Sequence, residues 1–292
     1  MTVRALAISA ALGLAAPAPV KLMDWDDLMR RPLPTADAKV AYGPALEQFA
    51  EVWTPKGRGP FPVVLMIHGG CWRSNIANLA IMNYAADDLR RREVAVWNVE
   101  YRGIDRPGGG YPGTFGDVAA AAEALKREAP TRNFDLARLA FLGHSAGGHL
   151  ALWLAGAKRI EAGPLARKAS LDPRAVVSLG GLPDLATAGE GCGDKAVRAI
   201  RGEPSADRPD PLADTSAAAL LPLGVRQVLI NGELDDTAPP KLAEDYAARA
   251  TSAGDRVVVP NAGHVEEIAP GSAAWDRAAD IIAKAVAPKS GP

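Results

Sequence analysis

Cysteine is scarce: 292 residues hold two, Cys71 and Cys192, too few for a disulfide framework. No C-x-x-C pair marks a metal or redox site. Charge of one sign is also missing. The formal net charge is −1 and no long basic block occurs, so the chain carries no electrostatic footprint for nucleic acid. There is no internal repeat and no low-complexity tract of note. Histidine is limited to His68, His144, His149 and His264, which leaves few candidates for any base. What is present is ordinary: 48% apolar and 23% charged residues, enough for a large globular core.

The first twenty residues differ in texture. Arg4 is followed by ALAISAALGLAA and then Pro17, Ala18 and Pro19. One positive charge, a short apolar middle and small residues near a cut describe a secretory signal over 1–18. The run is too short for a permanent membrane anchor, so no stable membrane insertion is expected. Residues 19–292 are then one exported domain, periplasmic or secreted; without cleavage the protein is cytoplasmic. Export would permit a Cys71–Cys192 bridge, but none is expected, because Cys71 lies in a turn with another use.

From Leu46 onward the chain alternates. Strands are expected at Leu46 to Trp53, Phe61 to His68, Val94 to Tyr101, Leu139 to Leu142, Ala175 to Leu179, Gln227 to Asn231 and Val257 to Val259. Helical periodicity fills Ala77 to Arg91, Thr114 to Ala129 (stopped by Pro130), the run after Ser145 to about Gly156, Pro239 to Ala253, and Ala273 to Ala287. This is an α/β pattern, a mostly parallel sheet with helices on both faces. Residues 183–222, rich in proline and aspartate, break the beat and are expected to form a small cap with one helix near Lys195 to Ile200.

Leu139 to Trp153, LAFLGHSAGGHLALW, is the centre of the chain. A buried strand meets Gly143-His144-Ser145-Ala146-Gly147, a full G-x-S-x-G, and continues as a helix. Such a corner lifts the serine hydroxyl out of the sheet edge and points helix amides toward an anion. A serine nucleophile needs a base. His264, in the loop after the last strand, reaches the carboxyl edge best. His144 should point away on its tight turn, His149 suits packing, and His68 ends a strand. An acid to orient the base comes from Glu233, Asp235 or Asp236 in NGELDDTAPP, with Asp184 as the outside candidate. Amide donors for an oxyanion come from the glycine turn His68-Gly69-Gly70-Cys71-Trp72 and from Ala146.

HGGCW, GHSAGGHLALW, GELDDTAP and AGH, in this order, resemble the α/β-hydrolase superfamily, in particular its esterase/lipase branch with an HGG-x-W motif, which includes arylformamidases. The likeness runs from about Phe49 to the C-terminus. It implies an α/β-hydrolase fold with Ser145, Asp235 and His264 as catalytic triad, and Gly70, Cys71 and Ala146 as oxyanion amides. Gly232 and Pro239 bracket Asp235 in the family's G-x-x-D-x-x-V-P pattern, although Ala238 stands in place of the valine. The loop GGGYPGTFGD borders the substrate cleft in relatives, with no role readable from its chemistry.

The expected reaction is hydrolysis of carboxylic esters through an acyl-enzyme, with neither metal nor organic cofactor. The small polar cap favours short-chain or aromatic esters. The alternatives are formamide hydrolysis of the arylformamidase kind, a peptidase of the prolyl oligopeptidase type, for which no propeller domain is present, and a non-catalytic binding protein. Haloalkane or epoxide opening would call for aspartate at position 145.

Overall fold

The computed structural model describes residues 20–166, 171–250 and 254–288. The segment 1–18, expected above to be an export signal, lies outside them. In chain order the elements are α1 (Trp25–Met29), β1 (Ala38–Ala41), β2 (Phe49–Trp53), β3 (Phe61–Ile67), α2 (Asn83–Arg91), β4 (Ala95–Val99), α3 (Gly113–Arg132), β5 (Phe134–His144) and α4 (Ala146–Gly156). They continue with β6 (Ala175–Leu179), α5 (Gly189–Cys192), α6 (Asp194–Arg201), β7 (Arg226–Gly232), α7 (Pro240–Arg249), β8 (Gly254–Val259) and α8 (Ala273–Val286).

The strands form one eight-stranded sheet in the order β1-β2-β4-β3-β5-β6-β7-β8. The first two pairings, β1 with β2 and β2 with β4, are antiparallel; all others are parallel. Period-2 alternation explains why the central strands are apolar throughout. Val63, Leu65, Ile67, Leu139 and Phe141 enter one core, under α3 and α4, together with Phe115, Leu125, Leu150 and Trp153. Val64, Met66, Ala140 and Leu142 enter the other, under α2 and α8, with Tyr84, Leu89, Trp275 and Ile282. The parallel strands all end on one edge, at Ile67, Val99, His144, Leu179, Gly232 and Val259, and the loops after them converge there.

Several boundaries differ from the sequence reading. β1 was not foreseen: it is an edge strand alternating between half-buried and exposed residues, so it has no apolar run. α1 was missed too, although Asp24 and Asp27 cap it reciprocally, each accepting the other's backbone N–H. The helix expected from Ala77 starts as a 3-10 turn at Leu79–Met82, with α2 proper beginning at Asn83. Pro130 does not stop α3. It lies in the last turn, and the helix ends at Asn133 in the left-handed conformation (φ 55°).

Between β6 and β7 lie α5, α6 and a 3-10 turn at Ala217–Leu220, the region expected as a cap. It is fastened to the body at several points. His149 Nε2 donates to the Thr215 carbonyl (2.7 Å) and Trp153 Nε1 to the Asp214 carbonyl (2.8 Å). Arg208 pairs with Asp214 and lies over the Tyr111 ring, 3.8 Å from its centroid. Tyr111 belongs to GGGYPGTFGD, so that loop buttresses this segment.

The firmest tie corrects an expectation. Cys71 and Cys192 are joined by a disulfide, with Cα atoms 5.3 Å apart. The Cys71 side chain leaves the turn and reaches Cys192 at the end of α5. The bridge closes 121 residues of chain. Reducing it, or replacing both cysteines by serine, is expected to lower unfolding stability by about 3–5 kcal/mol. Urea titration with and without reductant measures this; an unchanged midpoint would count against it.

Candidate active site

Ser145 stands at the β5–α4 corner with φ 55° and ψ −123°, a strained conformation for a side-chain-bearing residue. Its amide donates to the Leu179 carbonyl (2.8 Å), which extends the β5–β6 ladder into the corner. The flanking glycines are required by contact. A Cβ on Gly143 would collide with the Gly147 carbonyl, and one on Gly147 with the carbonyls of Ile67 and His68. Ala146 opens α4, so its amide lacks an acceptor within the helix.

His264 and Asp235 come together as expected. His264 Nδ1–H donates to Asp235 Oδ2 at 2.7 Å. Asp235 is 4% exposed, and its other oxygen accepts the amides of Thr237 (2.9 Å) and Ala238 (2.8 Å). Three donors on a buried carboxylate fix its orientation. Asp236 is exposed and contacts only its neighbour Thr237 Oγ1, at 3.5 Å. Glu233 is exposed and accepts the Asn261 amide. Asp184 is taken up by Arg249, Ser216 and the Ala186 amide. Of the acids weighed from sequence, Asp235 is the one bonded to the imidazole.

The turn after β3 carries positive φ at Gly70 (102°), Cys71 (51°) and Trp72 (57°). Among the described residues the amides of Gly70 and Cys71 donate to no backbone carbonyl. Behind them lies a buried pair that the sequence reading overlooked. His68 Nδ1 faces the Gly69 carbonyl (2.7 Å) and Nε2 faces Glu100 Oε1 (3.0 Å). The amides of Leu79 and Tyr101 donate to the two Glu100 oxygens. Burial alone would raise the Glu100 carboxyl, but the His68 charge, its hydrogen bond and these amides bring it below the usual range. With both oxygens accepting, Glu100 is a carboxylate, and both ring nitrogens of His68 face oxygens.

The remaining histidines are structural. Burial lowers His149 to about 4, so it is neutral. It accepts from Trp72 Nε1 at 3.3 Å and so joins the turn after β3 to the segment between β6 and β7. His144 does not simply point away. Its ring is 4.4 Å from that of His264, and Nε2 donates to the His264 carbonyl (3.0 Å). Burial, then the neighbouring His264, hold it well below the usual histidine range. It supports the base loop as a neutral donor.

Two further groups were missed. Trp25 of α1 lies edge-on to both His264 (6.4 Å between centroids) and His144 (6.1 Å), and is 41% exposed. α1 is held there by the Met23 amide, which donates to Glu266. The second is Glu267, fully buried, whose Oε1 accepts the Gly232 amide at 2.7 Å. AGHVEE displayed this residue, but a carboxylate three residues past a loop histidine looks solvated until the burial is known.

Gly180, after β6, passes directly beside these groups at φ 47°. A Cβ there would lie 2.8 Å from His264 Nδ1 and 2.9 Å from Asp235 Oδ2, and would collide with Glu267 Oε2. Gly180→Ala is therefore expected to lower kcat about 100-fold by displacing the pair, with the fold retained. Steady-state kinetics beside near-UV circular dichroism checks this, and wild-type kcat would contradict it.

Among the described residues, one group, buried His144 and Glu267 with half-buried His264, is compact enough to hold a metal ion, with ligand atoms within 4.8 Å of one another. Both imidazoles are already committed, to the His264 carbonyl and to Asp235. A cavity of about 510 Å³ between α3 and α4, lined by Tyr42, Glu123, Arg127, Leu154 and Lys158, contains none of the site residues. Among the described residues no helix is long and apolar enough to cross a membrane.

Comparison with solved structures places this arrangement in a known fold. A truncated carbohydrate esterase from gut microbiota superposes with a TM-score of 0.70 at 20% identity, over 86% of this chain and 97% of its own. A bacterial heroin esterase gives 0.64 at 24% identity, over 82% and 78%. Esterase LipW from Mycobacterium marinum gives 0.65 at 22% identity, over 86% and 82%. The chain has the α/β-hydrolase fold. No curated protein matches its sequence. Residues 51–248, well over half of the chain, match the BD-FAE family model, and the chain belongs to the BD-FAE family.

Proposed function

We propose that the chain is a serine hydrolase of carboxylic esters, with Ser145 as nucleophile, His264 as base and Asp235 as its orienting acid. The observation that carries this reading is the 2.7 Å hydrogen bond between His264 and Asp235 on the same sheet edge as the strained Ser145 corner. His264 takes the Ser145 proton as the oxygen attacks the substrate carbonyl. The oxyanion that forms accepts from the amides of Gly70, Cys71 and Ala146. His264 then hands its proton to the leaving alcohol, and water repeats the cycle on the acyl-enzyme to free the acid. Nothing in this sequence of steps calls for a metal or cofactor. That these structural neighbours are esterases supports ester over formamide as the bond cleaved.

The substrates are small acyl or aromatic esters, because a cap of about forty residues, locked by the disulfide, limits the length of the acyl group. Exposed Trp25 beside the base offers a flat apolar wall for an aromatic group. Trp25→Ala is expected to raise KM for an aromatic ester about 2- to 10-fold and leave that for an acetate unchanged. Equal effects on both would remove Trp25 from the substrate site. The bridge also favours an oxidising compartment, periplasmic or extracellular, for the mature protein. A p-nitrophenyl ester series assayed beside N-formylkynurenine tests the activity. Highest turnover on short or aromatic esters is expected. Turnover rising steadily past about ten carbons, or preference for the formamide, would contradict it.

A further inference from the structure

Glu267 lies at the triad without a role in the acyl transfer just described, and the inference that follows rests on that mechanism. Its side chain is fully buried and close to both triad partners. Oε2 is 3.9 Å from His264 Nδ1 and 3.8 Å from His144 Nε2. No N–H donor reaches this oxygen among the described residues. The two carboxyls converge on one ring nitrogen: His264 Nδ1 lies 3.9 Å from Glu267 Oε2 and 2.7 Å from Asp235 Oδ2. Two carboxylates cannot bond to each other unless one carries a proton. The charged and titratable groups around the pair are His144, His264 and Glu266, and among the described residues no lysine or arginine pairs with either acid.

The surroundings decide which acid holds the proton. Asp235 accepts three N–H bonds, from Thr237, Ala238 and His264. Glu267 accepts one, from Gly232. Each such bond favours a charged form, so Glu267, with one donor against three, is the acid that holds the proton. The count closes: a carboxylate has about four acceptor positions, and a proton from Glu267 fills the fourth. Burial, then the Asp235 charge, push the Glu267 carboxyl well above its usual range, which agrees with the geometry.

We propose that Glu267 is a positioning residue of the triad, a protonated carboxyl that donates to Asp235 and so sets both the placement of Asp235 and the basicity of His264. Drawing electron density from Asp235 weakens its hold on the imidazolium and keeps His264 a weaker base than a two-member His–Asp pair would be. Removing that donor therefore makes His264 easier to protonate.

The test compares Glu267→Leu and Glu267→Gln with the wild type. The leucine variant is expected to lose about 10- to 100-fold in kcat, and the acid limb of its kcat/KM profile should move to higher pH. Glutamine, a neutral donor of the same shape, should restore kcat to within about threefold and return the limb to its wild-type place. An infrared measurement needs no turnover. A carboxylic-acid C=O stretch should persist at about pH 8 in the wild type and in Ser145→Ala, and be missing from Glu267→Gln. Absence of that band from the wild type overturns the proposal, whatever the enzyme hydrolyses. So does a glutamine variant as impaired as the leucine one, or a leucine variant with wild-type kcat and acid limb. If the leucine variant does not fold, the glutamine kinetics and the infrared band decide.

Discussion

Asp235→Asn is expected to lower kcat for a short p-nitrophenyl ester by about 10⁴-fold, while Asp236→Asn changes it by no more than about threefold. The asymmetry follows from the hydrogen bonds. Asp235 Oδ1 is fixed by the amides of Thr237 and Ala238, so in the asparagine variant the carbonyl oxygen stays there and the NH2 faces His264 Nδ1. An NH2 is a donor, and it forces Nδ1 to accept. The proton of neutral His264 then moves to the nitrogen that should take the Ser145 proton, and the base is lost with little change in shape. Asp236 is exposed and touches neither ring nitrogen, so its substitution removes only a solvated charge. Rate loss in the Asp236 variant instead would reassign the acid by one residue. KM should barely move in either, since the group acts on the transition state rather than on ground-state binding.

The parts of the site legible in the sequence are those whose signal is local. The elbow is fixed by contacts within a few residues, Gly143 against Gly147, and it turns on two glycines that any reader of the sequence can see. His264 and Asp235 follow strands whose apolar runs are unbroken, so their place at the carboxyl edge follows from counting strands. The parts that stayed hidden depend on what lies beyond the sheet edge. α1 has one buried residue, Leu28, and lies far from the site in sequence, so nothing local says that Trp25 covers the base. Glu267 and Glu100 are written as acids, and acids are solvated by default; only packing shows that each is buried for the sake of a histidine. The disulfide was set aside on the assumption that a residue in a functional turn uses its side chain there. The Cys71 side chain instead leaves the turn and reaches Cys192 at the end of α5. Pro130 failed as a stop signal because, in the last turn of α3, few bonds remain for a proline to break.

Ser145→Ala, assayed beside the wild type with a fluorophosphonate label and a short p-nitrophenyl ester, tests the central claim most directly. The alanine keeps the Cβ and loses only the oxygen, so the fold and the His264–Asp235 pair are expected to stay in place. With the oxygen gone, no acyl-enzyme forms. The wild type should take up one phosphonyl group on the peptide that contains Ser145 and stop hydrolysing ester. The variant should remain unlabelled and turn over ester at least about 10³-fold more slowly. Equal turnover in the two proteins, or labelling of the variant to the same extent, would contradict a Ser145 nucleophile and with it the mechanism built on that corner.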